Sequence, residues 1–314
     1  MAFLLKANYG TFRALGMVTF DSANTSNGRT KTSSSEDATG VFIMNALENV
    51  GNGSTYFCSY RTDKMSSPFD VTRGYVIGSG GISASTSNFQ VGNGNFLAVF
   101  RPIADWTLDS VISKWNTGAN NVLQFDTTDW FDGTTPRTVT VAKNISGSQI
   151  ECLAYGNGCI RFAFDNTFAG GFTASNSVTV ALNAGCRPGN QAVTMKDTST
   201  LQVAESGTVT LGGNLTLGEN TTLAFNFTRR NVAPTLAIPA ASALPATLNV
   251  KVTCDESLSV SGLNTYTILS GCDLTGKTVN IIDPPKWVES VSVDGSGNLV
   301  LKAKSLKGFI ISVH

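Results

Sequence analysis

Short runs of alternating apolar and polar residues recur between Arg137 and Phe227, and each run ends at a glycine, an asparagine or another polar residue. In the first clear run, Ile160, Phe162 and Phe164 alternate with less apolar neighbours. Further runs of this kind are Val178–Leu182, Val193–Met195, Leu201–Val203, Val209–Leu211, Leu215–Leu217 and Leu223–Phe227. A period of two turns one set of side chains inward and the other outward, so each run predicts a half-buried β-strand.

The spacing of these runs limits how the strands can be connected. Successive runs begin at Val193, Leu201, Val209, Leu215 and Leu223, in steps of eight, eight, six and eight residues. Steps this short leave no room for crossover helices, and three of them make a coil of about 20 to 25 residues, within the range of solenoid repeats. In such a coil each strand pairs with the strand one turn above, about 4.8 Å away. Inward Val, Leu, Ile and Phe would then stack into one core.

An antiparallel sandwich or barrel also uses short strands joined by closely spaced turns. The Thr-Leu and Thr-Val phrases repeat with little variation along this stretch, and that repetition favours the solenoid. The sequence therefore predicts an all-β protein built as a parallel β-helix.

Composition restricts the classes of partner. Charged residues make up 14% of the chain, against roughly 25% in typical soluble proteins, so Ser, Thr, Asn and Gly must form most of the surface. Lys and Arg together number 22, as do Asp and Glu. With zero net charge and no basic stripe, nucleic acid is not an expected partner. No run approaches the ~20 apolar residues of a transmembrane helix.

The first residues do not resemble a secretory signal peptide. The apolar run 2–5 is short, and Lys6 and Arg13 interrupt the residues that follow it. Together with the polar, repetitive composition, this pattern favours a fragment of an exported protein. We expect the rest of a longer precursor to be missing from this sequence.

Three parts with different patterns divide the chain. Residues 1–228 are predicted to form the solenoid coils, with an irregular N-terminal part to about residue 120. Residues 229–247 contain three prolines among alanines and are predicted to be a loop or extended arm that leaves the coils. Residues 248–314 are predicted to form a C-terminal β segment that caps the solenoid, because uncovered strand edges invite end-to-end association.

Strand patterns recur in both outer parts of the chain. Candidates in the N-terminal part are Met17–Phe20, Thr55–Tyr60, Gly74–Ile77, Asn88–Val91 and Phe96–Phe100. Candidates in the C-terminal part are Leu248–Val252, Tyr266–Leu269, Val279–Ile282, Val288–Val293, Leu299–Ala303 and Phe309–Val313. The segment Asp294-Gly-Ser-Gly-Asn298 lies between two of these candidates. It predicts a hairpin turn, because it lacks the spaced acidic residues and the late Glu of a calcium loop.

The chain contains six cysteines: Cys58, Cys152, Cys159, Cys186, Cys254 and Cys272. None forms a CxxC pair, so a zinc ribbon is not indicated. Cys152 and Cys159 flank a turn and could face each other across it, and Cys254 and Cys272 flank another loop. Spacing does not assign disulfides, and the other interpretation is that these are small apolar residues in strand cores.

One segment resembles a known repeat. Gly156–Thr173 reads GNGCIRFAFDNTFAGGFT and is similar to the autotransporter-associated β-strand repeat, in which a strand, an Asn-Thr-aromatic-Gly-Gly turn and a Thr-Val strand follow one another. Ala192–Phe227 resembles the strand ladder after that repeat, and Thr278–Val313 resembles the end of large repetitive bacterial surface proteins. The resemblance implies a right-handed parallel β-helix that is exported to the bacterial cell surface or secreted.

Three carboxylates are the best candidates for catalysis: Asp126, Asp129 and Asp132. Some β-helical proteins cleave polysaccharides with acidic residues on one face, which act as general acid and base. Tryptophans nearby could stack on sugar rings: Trp106, Trp115 and Trp130. The competing interpretation, which we favour, is that the aspartates form turns and the tryptophans pack in the core. No catalytic residue is therefore assigned.

The single histidine, His314, is the last residue of the sequence. A Ser-His-Asp triad or a His-rich metal site would depend on it, so neither is expected. The sequence also gives no indication of a cofactor.

Three functions are compatible with these features. The first is a non-enzymatic structural or adhesive segment, adhesin-like, that presents a long ridged face to glycans or host surfaces. The second is a β-helical polysaccharide hydrolase or lyase that uses the carboxylates at 126–132. The third is a carbohydrate-binding or tailspike-like module, which a trimeric state in solution would favour. We favour the first.

Overall fold

β-Strands form the regular secondary structure of the chain wherever the computed structural model describes it, and no helix occurs in those residues. The described backbone covers residues 41–46, 54–59, 69–71, 74–78, 89–91, 96–102, 105–108, 112–115, 121–128, 133–146, 150–229, 231–255 and 264–304. Side chains are described for residues 102, 105–108, 123–128, 133–146, 152–229, 231–255 and 264–304.

The strands are short and follow one another closely along the chain. The N-terminal strands are β1 Val41–Ala46, β2 Ser54–Ser59, β3 Phe69–Val71, β4 Gly74–Gly78, β5 Phe89–Val91, β6 Phe96–Pro102, β7 Trp106–Leu108, β8 Ile112–Trp115 and β9 Asn121–Asp126. The central strands are β10 Thr138–Val141, β11 Ile150–Tyr155, β12 Cys159–Phe162, β13 Phe172–Ala174, β14 Thr179–Leu182, β15 Val193–Met195, β16 Thr200–Val203, β17 Gly207–Thr210, β18 Leu215–Leu217 and β19 Thr222–Phe227. The C-terminal strands are β20 Pro234–Ala237, β21 Thr247–Cys254, β22 Thr265–Ser270, β23 Thr278–Ile282, β24 Val288–Val293 and β25 Leu299–Ala303.

Most of the predicted strand candidates are present in this set. Met17–Phe20 and Phe309–Val313 lie outside the described residues.

Hydrogen bonding assigns these strands to four sheets. Sheet 1 has the order β1-β2-β4-β6-β9-β11-β13-β15-β18, and sheet 2 has the order β7-β10-β12-β14-β16-β19-β21-β23. Sheet 3 has the order β17-β20-β22-β25-β24, and sheet 4 is β3-β5-β8. All neighbours in sheet 2 are parallel, and those in sheet 1 are parallel after the β1–β2 pair.

In the middle of the chain, strands that follow one another in sequence alternate between sheets, as β14 in sheet 2, β15 in sheet 1 and β16 in sheet 2 do. The chain therefore winds in coils and does not fold back in hairpins through its middle. These residues form a parallel β-solenoid, which confirms the predicted all-β fold class. An antiparallel sandwich or barrel is excluded for this part of the chain.

The register of sheet 2 gives the length of each coil. Ile160 lies beside Val180, Val180 beside Leu201, and Leu201 beside Leu223. Each of these steps along the sequence matches the predicted coil of roughly 20 to 25 residues. The next coil is longer, because Leu223 lies beside Val250.

Inward side chains of successive coils stack into apolar columns. The column under sheet 2 has members at most 2% exposed: Trp106, Val139, Ile160, Val180, Leu201, Leu223 and Val250. The column under sheet 1 has members at most 1% exposed: Leu123, Cys152, Phe172, Val193 and Leu215. Burial of each such side chain contributes about 1.5–3 kcal/mol. The apolar interiors beneath the two sheets meet where the ring of Phe162, the next inward residue after Ile160 in β12, packs edge to face against the Phe172 ring, with centroids 5.5 Å apart.

Phe164 does not continue the inward alternation of Ile160 and Phe162, and the predicted strand is too long at this point. Strand β12 ends at Phe162, and Phe164 is 42% exposed. The side-chain amide of Asn166 donates a hydrogen bond to the Phe164 carbonyl oxygen at 2.7 Å. The backbone at Phe164 is thus bonded within a turn and lies outside the sheet, so its side chain points away from the core.

The proline-rich segment 229–247 is not entirely a loop. Within it, β20 pairs in parallel with β17 and so belongs to a coil. Pro234 is the first residue of the strand, a position that tolerates proline. Leu236 and Ile238 are 1% and 4% exposed, so the inward alternation survives between the prolines.

The predicted C-terminal cap begins later than residue 248. Strands β21 and β23 continue sheet 2 in parallel, so coils extend to Ile282. In the described C-terminal part, β24 and β25 form an antiparallel hairpin, which joins sheet 3 through the antiparallel pairing of β25 with β22. The Phe227 ring lies 5.3 Å from Trp287 and 5.5 Å from Tyr266, centroid to centroid. This aromatic cluster belongs to the buried core and extends it to Trp287, the residue before β24.

The predicted hairpin turn between β24 and β25 is confirmed, and the Asp294 side chain bonds to its backbone. Its Oδ1 atom accepts hydrogen bonds from the backbone N–H groups of Ser296 and Asn298, both at 2.9 Å. The Asn298 N–H is the main reason why the pKa of the Asp294 carboxyl lies below its ordinary value of 3.8.

We expect this carboxylate to make the hairpin sensitive to acid. A lowered folded-state pKa stabilises the fold fully above the ordinary pKa, and that contribution is lost as the pH falls through the folded-state value. Asp294→Asn should therefore reduce stability at neutral pH and make the decline in acid shallower. Urea unfolding from neutral pH down to about pH 2.5 measures both effects. Identical acid declines for the two proteins would contradict the assignment.

Candidate functional site

Asp126 is the one candidate carboxylate that the described residues include, and it lies in a turn. It ends β9, its side chain is 4% exposed, and its Oδ1 accepts a hydrogen bond from the Thr128 N–H at 3.0 Å. This is the Asx-turn geometry that the turn interpretation predicts. Asp129 and Asp132 lie outside the described residues, so Asp126 is the only one of the three whose position the structure describes.

Trp106 does not offer a stacking surface for sugars. It is 2% exposed and lies in the apolar column beneath sheet 2, so the core interpretation is confirmed for this residue. Trp115 belongs to β8, but its side chain is not described, and Trp130 lies outside the described residues.

The turn after Asp126 joins three segments of backbone around Thr127. The Thr127 hydroxyl donates to the Tyr155 carbonyl oxygen at 3.0 Å and accepts from the Gly158 N–H at 3.0 Å. The Arg137 N–H donates to the Thr127 carbonyl oxygen at 2.8 Å. A methyl group on Gly158 would overlap the carbonyl oxygens of both Arg137 and Thr127. This crossing is therefore a structural junction in which only glycine fits.

Asn166, within the segment that resembles the repeat, connects three successive coils. It is fully buried, its Oδ1 accepts from the Ile145 N–H at 2.8 Å, and its Nδ2 lies 3.3 Å from the Arg187 carbonyl oxygen. Ile145, Asn166 and Arg187 each lie one coil apart. Asn166 was not predicted from the sequence as a functional or structural residue. The sequence feature that could have identified Asn166 is the Asn-Thr turn of the repeat. In that turn, the buried side-chain amide bonds to backbone groups that the turn leaves unpaired.

The outer face of sheet 2 carries a column of hydroxyl and amide groups that includes one thiol. In register along it lie Thr138, Cys159, Thr179, Thr200, Thr222, Asn249 and Asn280. We call this the threonine column. At one end the Asn280 amide donates to the Asn249 side-chain oxygen at 2.8 Å. Strand spacing sets the groups about 4.8 Å apart.

A second column on the same face alternates long and short side chains. In register lie Arg161, Ala181, Gln202, Ala224 and Lys251. Ala181 and Ala224 are 0% and 6% exposed although they point outward, so their longer neighbours cover them. Arg161, Gln202 and Lys251 therefore stand above the alanines as a ridge with polar ends. Together, the ridge and the threonine column form a grooved polar face, which we call the ridged face.

The cysteines whose side chains the structure describes are free thiols: Cys152, Cys159, Cys186, Cys254 and Cys272. Cys152 lies inside the core, whereas Cys159, the first residue of β12, lies in the outer threonine column, so they do not face each other across their turn. The interpretation of cysteine as a small apolar core residue is confirmed for Cys152. Burial raises the pKa of the thiols of Cys159, Cys186 and Cys272, which keeps them protonated and poorly nucleophilic at neutral pH.

Three further observations bear on the kind of protein. Among the described residues, no helix is long and apolar enough to cross a bilayer. In the same residues, no cluster of three or more His, Cys, Asp or Glu side chains is arranged to hold a metal ion. No family model, curated protein or solved structure matches the chain. Its function is therefore inferred from the ridged face and the solenoid that supports it.

Proposed function

We propose that the chain is a non-enzymatic, structural or adhesive segment of a bacterial cell-surface or secreted β-solenoid, similar to the passenger segments that carry the autotransporter-associated β-strand repeat. The observation that carries this proposal is the ridged face, which repeats hydrogen-bonding side chains coil after coil along sheet 2. The described interior beneath it is filled with apolar side chains.

Solenoid geometry suits a segment that projects from a surface. Sheet 2 contains eight strands, so its seven inter-strand steps of about 4.8 Å extend roughly 34 Å along the axis. Each coil contacts mainly its neighbours, and length can be added by repeating coils without changing the core. A rod of this kind holds its outer face at a fixed distance from its base.

The ridged face offers suitable chemistry for glycans. Sugar hydroxyl groups donate and accept hydrogen bonds, and the face presents hydroxyl, amide, guanidinium and ammonium groups in regular rows. A typical hydrogen bond contributes only about 0.5–1.5 kcal/mol net. A long polymer that engages several rows at once gains affinity through multivalency, so we propose extended glycans of a cell or host surface as ligands.

A glycan array with the intact chain tests the adhesive proposal. Replacing Gln202 and Lys251 together with alanine should weaken binding about tenfold or more, since each substitution removes about one hydrogen bond to the ligand. The matched control replaces Thr194, on the outer face of sheet 1, and Lys196, an exposed residue just after that strand, and should leave binding unchanged. Equal losses in both double variants, or no binding to any glycan, would contradict an adhesive role for the ridged face.

The same glycans distinguish binding from cleavage. If the chain only binds, polysaccharide length stays constant during incubation. Shortened products that disappear in an Asp129→Asn variant would replace this proposal with the hydrolase or lyase alternative.

A further inference from the structure

Phe164 is a large apolar side chain that the fold exposes at one corner of the ridged face. Among the side chains that the structure describes, only Phe164 and Val232 are large, apolar and exposed, at 42% and 41%. The alternation of Ile160 and Phe162 would turn Phe164 inward, but β12 ends at Phe162. Phe164 follows Arg161 of the ridge by three residues. An exposed phenyl ring therefore lies just beyond the strand that carries Arg161.

A buried asparagine fixes the backbone that presents this ring. Asn166 is fully buried, and its Nδ2 donates to the carbonyl oxygens of both Phe164, at 2.7 Å, and Arg187, at 3.3 Å. The Asn166 N–H also donates to the Arg187 carbonyl oxygen, at 3.1 Å. One residue thus holds the backbones of two neighbouring coils together at this corner. Because Phe164 and Arg187 are already in place, a ligand that contacts both loses less entropy on binding.

The Arg187 side chain forms an ion pair with Asp165, the residue that follows Phe164. Nε of Arg187 lies 2.9 Å from Oδ1 of Asp165, and its Nη2 donates to Oδ2 at 3.4 Å. Nε and Oδ1 are buried atoms, whereas the side chain of Arg187 is 30% exposed and that of Asp165 is 45% exposed. Their exposed area therefore lies on the remaining atoms, among which Oδ2 can accept and the Nη groups can donate further hydrogen bonds.

A second pair of polar side chains lies on the ridge side of the corner. Nη1 of Arg161 donates to Oδ1 of Asn183 at 3.3 Å. The Asn183 N–H donates to the carbonyl oxygen of Phe162, the last residue of β12, at 3.1 Å. Arg161 keeps further donors, because a guanidinium group carries five N–H bonds. The corner thus combines an exposed aromatic ring with hydrogen-bond donors and acceptors on two adjacent coils.

We propose that this corner, which we call the Phe164 subsite, binds one pyranose unit of a glycan. The C–H face of the sugar stacks on the Phe164 ring, and its hydroxyl groups bond to the exposed atoms of Asp165 and Arg187. The face of an aromatic ring carries partial negative charge, and pyranose C–H groups carry partial positive charge, so the two surfaces attract each other. The choice of a sugar as ligand rests on the function proposed above. The Phe164 subsite places one sugar of the glycan at the Arg161 end of the ridge.

Saturation-transfer difference NMR with methyl β-galactopyranoside and methyl β-glucopyranoside tests the Phe164 subsite in the full chain. Irradiation of the aromatic protons should transfer saturation to the C–H protons of at least one of the two sugars. Phe164→Ala should lower the affinity measured by titration about tenfold, the loss expected for an aromatic anchor. Phe164→Tyr keeps the aromatic face and should retain binding. Val232→Ala removes the other exposed apolar side chain and should leave the affinity unchanged.

Far-ultraviolet circular dichroism shows whether each variant remains folded. Equal affinity of the unaltered chain and Phe164→Ala would overturn the Phe164 subsite, as would the absence of transfer to either sugar. The glycan array separates this result from the adhesive role. Array binding that is lost in the Gln202 and Lys251 double variant but unchanged in Phe164→Ala would contradict the subsite alone. Transfer that depends on Phe164, in a chain that binds no glycan of the array, would support the subsite and contradict the adhesive role.

Discussion

Replacing Phe162 with alanine is expected to lower the free energy of unfolding by about 3–5 kcal/mol, the range for truncating a buried aromatic side chain. Phe162 is fully buried, and its ring packs edge to face against Phe172 at 5.5 Å. It therefore joins the apolar interior beneath sheet 2 to the column of sheet 1 within one coil. Alanine would leave a cavity between rigid strands, which cannot collapse to fill it.

Phe164 provides the matched control, because it is the same residue type two positions further along the chain and is 42% exposed. Phe164→Ala should change the free energy of unfolding by less than about 1 kcal/mol. Urea unfolding followed by far-ultraviolet circular dichroism measures both variants. Equal losses would show that the coil does not end its strand at Phe162.

The second large effect is expected at Gly158, where three backbone segments cross. A methyl group there would overlap the carbonyl oxygens of Arg137 and Thr127, which are backbone atoms and cannot rotate away. Gly158→Ala should therefore force two adjacent coils apart and destabilise the protein by about 3 kcal/mol, the upper part of the usual range for overpacking. It should also weaken the hydrogen bond from the Gly158 N–H to the Thr127 hydroxyl.

Gly171 is the corresponding control in the same repeat-like segment. A methyl group at Gly171 would meet the Ala192 carbonyl oxygen at 3.5 Å, an ordinary contact distance. Gly171→Ala should be neutral, or stabilise the fold by up to about 1 kcal/mol, because alanine lowers the entropy of the unfolded chain. Thermal and urea unfolding of the two variants in parallel would test the difference. A loss at Gly171 as large as that at Gly158 would contradict the junction.

Local sequence patterns alone predicted the coil. Alternation at Val193, Leu201, Val209, Leu215 and Leu223 required short strands with one buried face, and the steps between them left no room for helices. The register of sheet 2 confirms this coil length in the central part. The coil could be predicted because the period of alternation and the length of each turn are local properties of the sequence. The buried face of a strand can likewise be identified from the residues of that strand alone.

The sequence predicted less of the candidate site than of the fold. Asp126 was compatible with catalysis or with a turn, and its buried hydrogen bond to the Thr128 N–H supports the turn. The ridge of Arg161, Gln202 and Lys251 was not predicted. Its members are roughly two coils apart, so only the register between strands brings them into one row.

Sequence alone was enough to show that the chain is all-β, that its coils have the length of a solenoid repeat, and which side chains of the central runs turn inward. The three-dimensional arrangement set where each run stops, as the different burial of Phe162 and Phe164 illustrates. It also placed Pro234–Ala237 within a coil. The difference arises because a strand persists only while a neighbouring coil supplies hydrogen-bond partners and apolar contacts, and those partners are distant in sequence.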